Sequence, residues 1–494
     1  MAYIESAVTT FLGAFVLFLI CTVVYNWVRS RGYPPGPLGL PLVGYVPFLG
    51  EKPNETLRDV AKKYGNIFSF YIGPQLVIGV NDYDAAKELL NHPMTLARPP
   101  HAFDFLVGRG GFSGMNGEEW QEQRRFVLLT MRNLGLGKGL WEKMIQEEAS
   151  EFVNEMKKAE GKPIDHQDSL AISQVLTSLA LLFGRHLDTE SDKEEIQTMR
   201  TLSRRLLKYF SAVDVNITLP WLVKLSELLN LSGFQDFIKL LRKFEAIFKK
   251  EVDRRLASKE ELTKEDFIGC YLQEMEKRKN DPQPQTFTLE NLQGNLFMLF
   301  VAGQDSTNAS VGWLLLLMAK YPSVQEKVCE EIDQVIGRDG TVYFNDKIKL
   351  PYTMATALEM MRWVSINPLF PPRYVLDNFE YEGYTIPKGA HIVCNSWAIM
   401  HDERYFDDPM AFKPERFLSE DGSKVEKLKG YGPFSFGKRN CPGEGVAMMT
   451  MYLYFVSIMQ KFNIRTPYDQ PPDMSYKFSA GILPNPQKLC FVER

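Results

Sequence analysis

The chain has 494 residues, of which 45% are hydrophobic and 24% charged, and its formal net charge is −4. These proportions are ordinary for a globular protein with a large core, and the acidic balance argues against a nucleic-acid-binding protein, which is usually basic. The six cysteines form no C-x-x-C pair, so the sequence indicates neither a zinc site nor a disulfide framework. We therefore expect the protein to work in a reducing compartment, on the cytosolic side of any membrane it contacts.

An uncharged apolar run, AVTTFLGAFVLFLICTVVYNWV at 7–28, stands close to the N-terminus. As a helix with a rise of about 1.5 Å per residue, it is long enough to cross a bilayer core of ~30 Å. Arg29 and Arg31 follow it, which places the rest of the chain in the cytosol. A cleaved signal peptide is the alternative, but no A-x-A site follows the run. The sequence thus predicts a membrane anchor at 1–31 and, from its closely spaced prolines, a stiff neck at 32–45.

The remainder, 46–494, shows no second linker and no internal repeat, which indicates one large body. Helical periodicity with charged faces dominates its middle part, and β-like runs occur at 67–80 and 379–395. Glu382 and Gly383 are expected to turn the second run into a hairpin. The sequence therefore predicts a mainly helical α+β domain with small sheets.

One predicted helix is unusually long, running without proline from an N-cap at Thr288 to Lys320. Its centre is apolar on most sides, so we expect it to pass through the core. The polar stretch QDSTN, which begins at Gln304, interrupts that centre, and a buried acid such as Asp305 is costly unless it has a partner or a function. Ser306 and Thr307 can bond back to the helix and distort it.

The segment PFSFGKRNCPGEG places a single cysteine, Cys441, among glycines and prolines directly before another apolar run. Gly437 and Gly443 indicate a backbone that turns tightly and approaches something flat or bulky. The positive end of the following helix can hold the sulfur of Cys441 as a thiolate. A buried structural thiol, a catalytic nucleophile and an axial metal ligand all remain open at this point.

This segment resembles the haem-binding loop of the cytochromes P450, which it matches at every defined position of F-x-x-G-x-R-x-C-x-G. Further motifs of that family follow in its order along residues 33–494. These are WQEQR at 120–124, AGQDST at 302–307, the E-x-x-R pair of Glu359 and Arg362, and FKPERF at 412–417 with Arg416. The resemblance implies a microsomal haem-thiolate monooxygenase on the cytosolic side of the endoplasmic reticulum membrane, with a single-pass anchor and haem b as cofactor.

By the resemblance, Cys441 is the axial ligand of the haem iron, within a loop that includes Phe434, Gly437 and Gly443. The side chains expected to bind the two haem propionates are Trp120, Arg124 and Arg439, joined by Arg98 and Arg373. A thiolate ligand favours O–O cleavage after oxygen binds. Pro442 has no N–H to offer the sulfur, so we expect an electron-rich thiolate and a low haem potential.

Two polar groups of residues have structural and catalytic interpretations. Glu359 and Arg362 lie three residues apart on one helix face and form either a weak surface pair or, with Arg416, a buried lock behind the haem loop; the resemblance favours the lock. Asp305, Ser306 and Thr307 are the expected proton-delivery residues. Serine at 306 departs from the usual threonine, which predicts a leakier oxygen activation.

The expected pocket walls are mainly apolar and aromatic, and comprise 99–114, 364–372, 478–484 and the helix face of Phe297, Phe300, Val301 and Ala302. They indicate a lipophilic substrate such as a steroid, terpenoid, fatty-acid derivative or xenobiotic. The resemblance implies electrons from NADPH through a membrane-bound cytochrome P450 reductase, with cytochrome b5 as a further candidate partner. A basic patch of Arg125, Arg132, Lys138, Lys429 and Lys438 would meet such an acidic partner, unless these are scattered solvated side chains.

Two other functions are open to a haem-thiolate fold. An isomerase or dehydratase of lipid peroxides works without a reductase and tends to lack the acid–alcohol pair that Asp305 and Ser306 supply here. A non-catalytic haem sensor would need neither a proton relay nor a reductase surface.

Overall fold

A computed structural model describes residues 13, 17, 31–100, 102–103, 106–137, 139–184, 192–206, 225, 228–229, 234–257, 266–282, 285–478 and 481–494. Within these ranges no helix combines the length and apolar character that a membrane crossing needs. The anchor predicted at 7–28 lies outside the described residues, apart from residues 13 and 17.

The described part of the chain is mainly helical, as predicted. Its α-helices, in chain order, are α1 (Pro53–Tyr64), α2 (Tyr83–Asn91), α3 (Gly117–Met131), α4 (Leu140–Lys157), α5 (His166–Phe183), α6 (Lys193–Leu206), α7 (Phe234–Ala257), α8 (Phe267–Lys277), α9 (Leu289–Lys320), α10 (Pro322–Val335), α11 (Pro351–Val364), α12 (Ser396–Met400) and α13 (Glu444–Lys461). Short 3-10 helices lie at Val107–Ser113, Pro414–Phe417 and Gly437–Arg439. The first belongs to the expected pocket segment 99–114, the second to FKPERF at 412–417 and the third to the loop that contains Cys441.

Within the described residues the strands form four small sheets. They are β1 (Ile67–Ile72), β2 (Gln75–Val80), β3 (Arg373–Tyr374), β4 (Phe379–Tyr381), β5 (Tyr384–Ile386), β6 (His391–Cys394), β7 (Phe462–Arg465), β8 (Tyr476–Phe478), β9 (Ile482–Pro484) and β10 (Cys490–Glu493). The largest sheet has the order β1-β2-β6-β3, in which β2 and β6 are parallel and the other neighbours antiparallel. The remaining pairs, β4–β5, β7–β10 and β8–β9, are antiparallel.

Two local predictions are confirmed by these strands. The run at 67–80 forms the β1–β2 hairpin, in which Ile72 pairs with Gln75. In the β4–β5 hairpin Tyr381 pairs with Tyr384, and the two residues between them, Glu382 and Gly383, both have positive φ angles. Two consecutive left-handed residues suit the twist of a two-residue hairpin, and glycine adopts that conformation at low cost.

The Pro-rich neck is not a free spacer where the structure describes it. The carbonyl oxygens of Pro34 and Pro35 accept hydrogen bonds from the side chain and the backbone of Ser69 in β1, at 2.6 and 3.0 Å. Gly44 forms a bridge to Ile72 at the end of the same strand. Because proline removes the N–H groups that would extend a helix, this segment stays extended and its carbonyls remain available to the sheet.

Helix α9 passes through the core, as its length and composition predict. Its N-cap is Thr288, whose hydroxyl accepts a hydrogen bond from the backbone N–H of Asn291 at 3.1 Å. Its C-terminal half packs into one hydrophobic cluster with α11 and α13, and Phe297 and Phe300 of its first half join a second cluster with α5, α7 and α8. The helix therefore separates two cores, and its polar centre lies at their junction.

Candidate functional site

The loop before α13 holds Cys441 in a fixed position. The backbone N–H of Cys441 donates to the carbonyl of Phe434 at 2.8 Å, which closes the turn around the 3-10 helix Gly437–Arg439. Gly437 has a φ angle of 76°, and a Cβ built there would lie 2.5 Å from the carbonyl oxygen of Leu90. Glycine is thus required here by the backbone of α2, whereas the sequence suggested close approach to a bound group.

The thiol of Cys441 faces a cavity rather than bulk water. The residue is exposed because the cavity lies against it, yet protein atoms surround it on the other sides. Removal from water raises the pKa of the thiol, while the backbone N–H groups of Gly443 and Glu444 and the charge of Arg124 act to lower it. The N-terminus of α13 therefore supplies the donors that the sequence predicts for a thiolate, and Pro442 supplies none.

Four arginines, Arg98, Arg124, Arg373 and Arg439, are buried around the same cavity. Arg439 donates to the carbonyls of Leu96, Ser113 and Met115, and Arg98 donates to those of Pro371 and Pro372. Arg124 donates to the backbone and side-chain oxygens of Asn440, both at 2.7 Å. Within the described residues, none of the four forms an ion pair with an acidic side chain.

Burial and the mutual repulsion of the charges lower the pKa values of Arg98, Arg373 and Arg439. Burial, with the charges of Arg98 and Arg124, lowers the pKa of Arg439 to about 8. Burial and Arg124 lower the pKa of Arg98 to about 10, and burial together with the other three arginines lowers the pKa of Arg373 well below its usual range. Uncompensated buried cations are costly, so the cluster is complementary to an anion.

Arg373 and Trp120 have buried N–H groups for which the described residues offer no hydrogen-bond acceptor. The Nε and Nη1 groups of Arg373 and the indole Nε1 of Trp120 are buried without a hydrogen-bond partner. Trp120 also lies under the guanidinium of Arg439. Buried donors without partners are rare in folded proteins. Their donor chemistry, next to a cysteine thiol, fits the two propionates of a thiolate-bound haem.

The polar centre of α9 forms another wall of the cavity. Asp305, Ser306 and Thr307 all line the cavity, as predicted. The hydroxyl of Ser306 donates to the carbonyl of Ala302 at 2.8 Å, and that of Thr307 donates to the carbonyl of Gly303 at 2.7 Å. These hydroxyls bond back to the helix, as expected for Ser and Thr within an apolar helix. They place two exchangeable protons on the cavity side of α9.

Behind the cysteine loop, Glu359 and Arg362 form a fully buried pair on α11. The Nε and Nη2 atoms of Arg362 contact the two carboxylate oxygens of Glu359 at 2.7 and 2.8 Å. Arg416 donates to Glu359 at 3.0 Å, and the remaining N–H groups of Arg362 reach the carbonyls of Met400 and Pro409. The three motif residues therefore form the buried network that the sequence favoured over a surface pair.

The cavity has a volume of about 420 Å³ and a mainly apolar lining. Val301 and Ala302 line it, as predicted, together with residues from each of the three other expected segments. Phe297 and Phe300 are not among its described lining residues and are instead fully buried against Phe244 of α7. Their assignment to the pocket is corrected accordingly, because they occupy the face of α9 that packs on α7.

One wall was missed by the sequence analysis. Gln174, Thr177, Ser178 and Leu181 of α5 line the cavity. Their spacing puts them on one helix face, and polar residues three or four apart in an otherwise apolar helix are a signal that was available. Asn440, which holds Arg124, was also missed, since nothing in a loop sequence indicates such a contact.

The predicted basic patch is only partly available to a partner. Arg125, Arg132 and Lys438 are exposed and form no ion pair within the described residues. Lys429 is exposed but pairs with Asp84 at 2.8 Å. Lys138 lies outside the described residues.

Comparison with known proteins agrees with this site. The family model described as cytochrome P450 matches residues 34–491. Cytochrome P450 2C23 of Rattus norvegicus is 34% identical over 95% of this chain and 96% of the relative. Cytochrome P450 2G1 of Rattus norvegicus is 33% identical over 98% and 99%, and cytochrome P450 2C8 of Homo sapiens is 32% identical over 94% and 95%. The chain belongs to the cytochrome P450 family of haem-thiolate monooxygenases.

Proposed function

We propose that this enzyme inserts one oxygen atom from O2 into a lipophilic small molecule at the endoplasmic reticulum membrane, with electrons from NADPH. Cys441 is the haem ligand, and residues 46–494 form the catalytic domain. Residues 1–31 are the single-pass anchor, and this domain lies on the cytosolic side. The observation that carries the proposal is a cluster of four buried arginines that have no acidic partner within the described residues. They line one cavity with a cysteine thiol and a hydroxyl-bearing helix.

The arginine cluster and Trp120 would hold haem b through its propionates. Their unpartnered N–H groups would gain acceptors, and two carboxylates would offset much of the buried positive charge. Haem bound through a thiolate supplies the activation of O2. The rigid loop around Cys441 fixes the sulfur. The Glu359–Arg362–Arg416 network holds α11 against the carbonyls of Met400, Pro409 and Ala411 and so supports the body around the cavity.

Protons for the reaction would reach the cavity through Asp305 and Ser306. Ser306 lines the cavity and its hydroxyl donates to the carbonyl of Ala302. Its oxygen can accept a proton in that position, and rotation about the Cβ–Oγ bond away from Ala302 would free the hydroxyl hydrogen for transfer into the cavity. Asp305 is its neighbour on the same helix and also lines the cavity. An acid and an alcohol at this place favour a monooxygenase over a peroxide isomerase or a sensor, neither of which needs a proton relay.

The electron donor would be NADPH–cytochrome P450 reductase, with cytochrome b5 as a second candidate. Arg125 lies on α3 and Arg132 directly follows its last residue, seven positions or about two helical turns further on. Both are exposed and form no ion pair within the described residues, and Lys438 lies in the loop that holds Cys441. An acidic protein that docks on these side chains would stand next to the cysteine loop. Lipophilic substrates, as the apolar cavity indicates, would reach the enzyme from the membrane.

The test begins with the carbon monoxide difference spectrum of the reduced, haem-loaded protein. A spectrum of the haem-thiolate type that Cys441→Ser abolishes supports the ligand assignment. NADPH consumption with reductase and a panel of lipophiles then tests monooxygenation, beside a lipid-peroxide rearrangement assay without reductase. Rearrangement without oxygenation would favour the isomerase, and haem binding with neither activity would favour the sensor.

A further inference from the structure

The segment that follows α11 carries one polar side chain on an apolar wall. Of its residues that line the cavity, Asn367 is polar, and the others are Ile366, Leu369, Phe370, Pro371 and Pro372. The facing β8–β9 hairpin contributes Gly481 and Leu483 to the cavity lining. An amide at this position needs an explanation, because it weakens the apolar character of the wall.

The usual structural reasons for an asparagine in a loop do not apply here. The residue with left-handed backbone at this helix end is Ser365, with a φ angle of 52°, and Asn367 has no positive φ angle. Within the described residues the amide of Asn367 makes no hydrogen bond, so it neither caps α11 nor closes a turn. Asparagine is therefore not required at 367 by the conformation of the chain.

The backbone on both sides of the amide is fixed. The carbonyl of Ile366 accepts from the N–H of Ile482 at 2.7 Å, and the carbonyl of Asn367 accepts from the hydroxyl of Ser396 at 2.7 Å. Phe370 donates its N–H to the carbonyl of Cys394 at 3.0 Å. The side chain of Asn367 is thus held on a rigid support, exposed at the cavity wall.

Space is left beside this amide. A Cβ built on Gly481 would lie 2.9 Å from the carbonyl of Ile366 and 3.7 Å from Oδ1 of Asn367. The close backbone contact accounts for the glycine, which places no side chain of its own against Oδ1. The amide carries both N–H donors and a carbonyl acceptor, so it suits either an alcohol or a ketone.

We propose that Asn367 is a specificity-determining residue that hydrogen-bonds a neutral oxygen group of an otherwise apolar substrate. This rests on the proposed function and narrows its substrate class to lipophilic alcohols and ketones. A carboxylate would be less favoured, since no residue from 366 to 372 is charged. By anchoring one oxygen on a rigid wall of the same cavity that α9 lines, Asn367 also fixes which carbon of the substrate lies in reach of the reaction.

The test uses two matched series, phenylcyclohexane with 4-phenylcyclohexanone and 4-phenylcyclohexanol, and 5α-androstane with 5α-androstan-3-one. Affinity is measured on the haem-loaded enzyme from the spectral shift that follows displacement of iron-bound water. The wild-type enzyme should bind the oxygenated members about tenfold more tightly than their hydrocarbon parents, the ratio expected for one hydrogen bond in a site that excludes water. Asn367→Leu should bring this ratio close to one, whereas Ile366→Val should preserve it.

Two results would overturn the inference. One is an Asn367→Leu variant that weakens all ligands by the same factor, which would indicate a general packing role. The other is a wild-type enzyme without preference for, or without any spectral response to, the oxygenated probes. Product analysis with reductase separates this inference from the proposed function. If the wild-type enzyme binds the oxygenated probes more tightly but forms no oxygenated product, monooxygenation alone is refuted. If it oxygenates every probe and binds all of them with equal affinity, the role of Asn367 alone is refuted.

Discussion

The guanidinium of Arg439 lies over the indole ring of Trp120, with its central carbon 3.9 Å from the ring centroid. A cation on an aromatic face at this distance is attracted by the ring electrons, and more so when both are buried. The contact brings the indole of Trp120 and the guanidinium of Arg439 together at the cavity that both residues line. It explains how residues 319 positions apart form one edge of the haem site.

Trp120→Phe should therefore weaken haem retention without removing the ring under Arg439. The variant loses the unpartnered indole N–H and keeps the aromatic face. We therefore expect haem to dissociate about tenfold faster, the change expected for the loss of one hydrogen bond. Transfer of haem to apomyoglobin measures this rate. Trp363→Phe is the matched control, because the indole N–H of Trp363 donates to the carbonyl of Met410 at 2.8 Å and Trp363 is not among the described residues that line the cavity. Equal loss in both variants would contradict the assignment.

The buried network around Glu359 should be a major contribution to stability. Glu359→Gln leaves Arg362 buried without its counter-charge, which costs about 3–5 kcal/mol in comparable pairs. Urea unfolding of the haem-loaded enzyme measures the loss. Glu415→Gln provides the comparison, since Glu415 pairs with Lys327 in an exposed contact worth about 0–1 kcal/mol. A small effect at Glu359 would mean that the network is dispensable for folding.

The resemblance predicted this network and the cysteine loop, because the motifs that carry it are defined by fixed spacings between residues. Glu359 and Arg362 must share a helix face at three residues' separation, and no other part of the chain alters that. The pocket was less predictable. Phe297 and Phe300 are apolar residues of the same helix as Val301 and Ala302, but α7 covers the first pair and the cavity exposes the second. Which face of an apolar helix lines a cavity depends on the distant segments that pack on its other faces. The periodicity of the helix itself therefore does not predict which face that is.

The same limit applies to Gly437. The sequence showed that a tight approach was needed, but the partner, the backbone of Leu90, lies in a helix far away in the chain. The membrane anchor at 1–31 stays a prediction, because it rests on residues outside those the structure describes.

Ser306→Ala should uncouple oxygen activation from product formation. The hydroxyl that donates to Ala302 is lost, and proton transfer by a positioned group contributes about 10²–10⁴-fold to rates. We expect a fall of about tenfold in product per NADPH, below that range because Thr307 offers a second hydroxyl at the cavity, and a matching rise in hydrogen peroxide. Ser310→Ala is the control, since its hydroxyl bonds to the carbonyl of Ser306 one turn further on. Unchanged coupling in Ser306→Ala would exclude the relay.

Pro442→Ala should raise the haem midpoint potential. The backbone N–H groups of Gly443 and Glu444 already act on the Cys441 sulfur, and proline withholds the one between them and the cysteine. A further donor makes a thiolate less electron-rich, and less negative sulfur favours the reduced iron. Redox titration measures the potential, and an unaltered carbon monoxide spectrum shows that the thiolate ligand is kept. A potential equal to that of the wild type would show that proline has no electronic role.

Charge reversal at Arg125 and Arg132, at the end of α3, should weaken the interaction with the reductase. Arg125→Glu and Arg132→Glu replace two exposed, unpaired cations, each worth roughly 0–1 kcal/mol at a solvated interface, so the double variant should need about tenfold more reductase for half-maximal turnover. The effect should shrink at high ionic strength because solvent-exposed charges are screened. Turnover driven by added peroxide bypasses the partner and should be spared. Lys429→Glu is the matched comparison, because Lys429 already pairs with Asp84. An equal effect of that variant would show that the reductase responds to the net charge of the enzyme and not to a docking surface at Arg125 and Arg132.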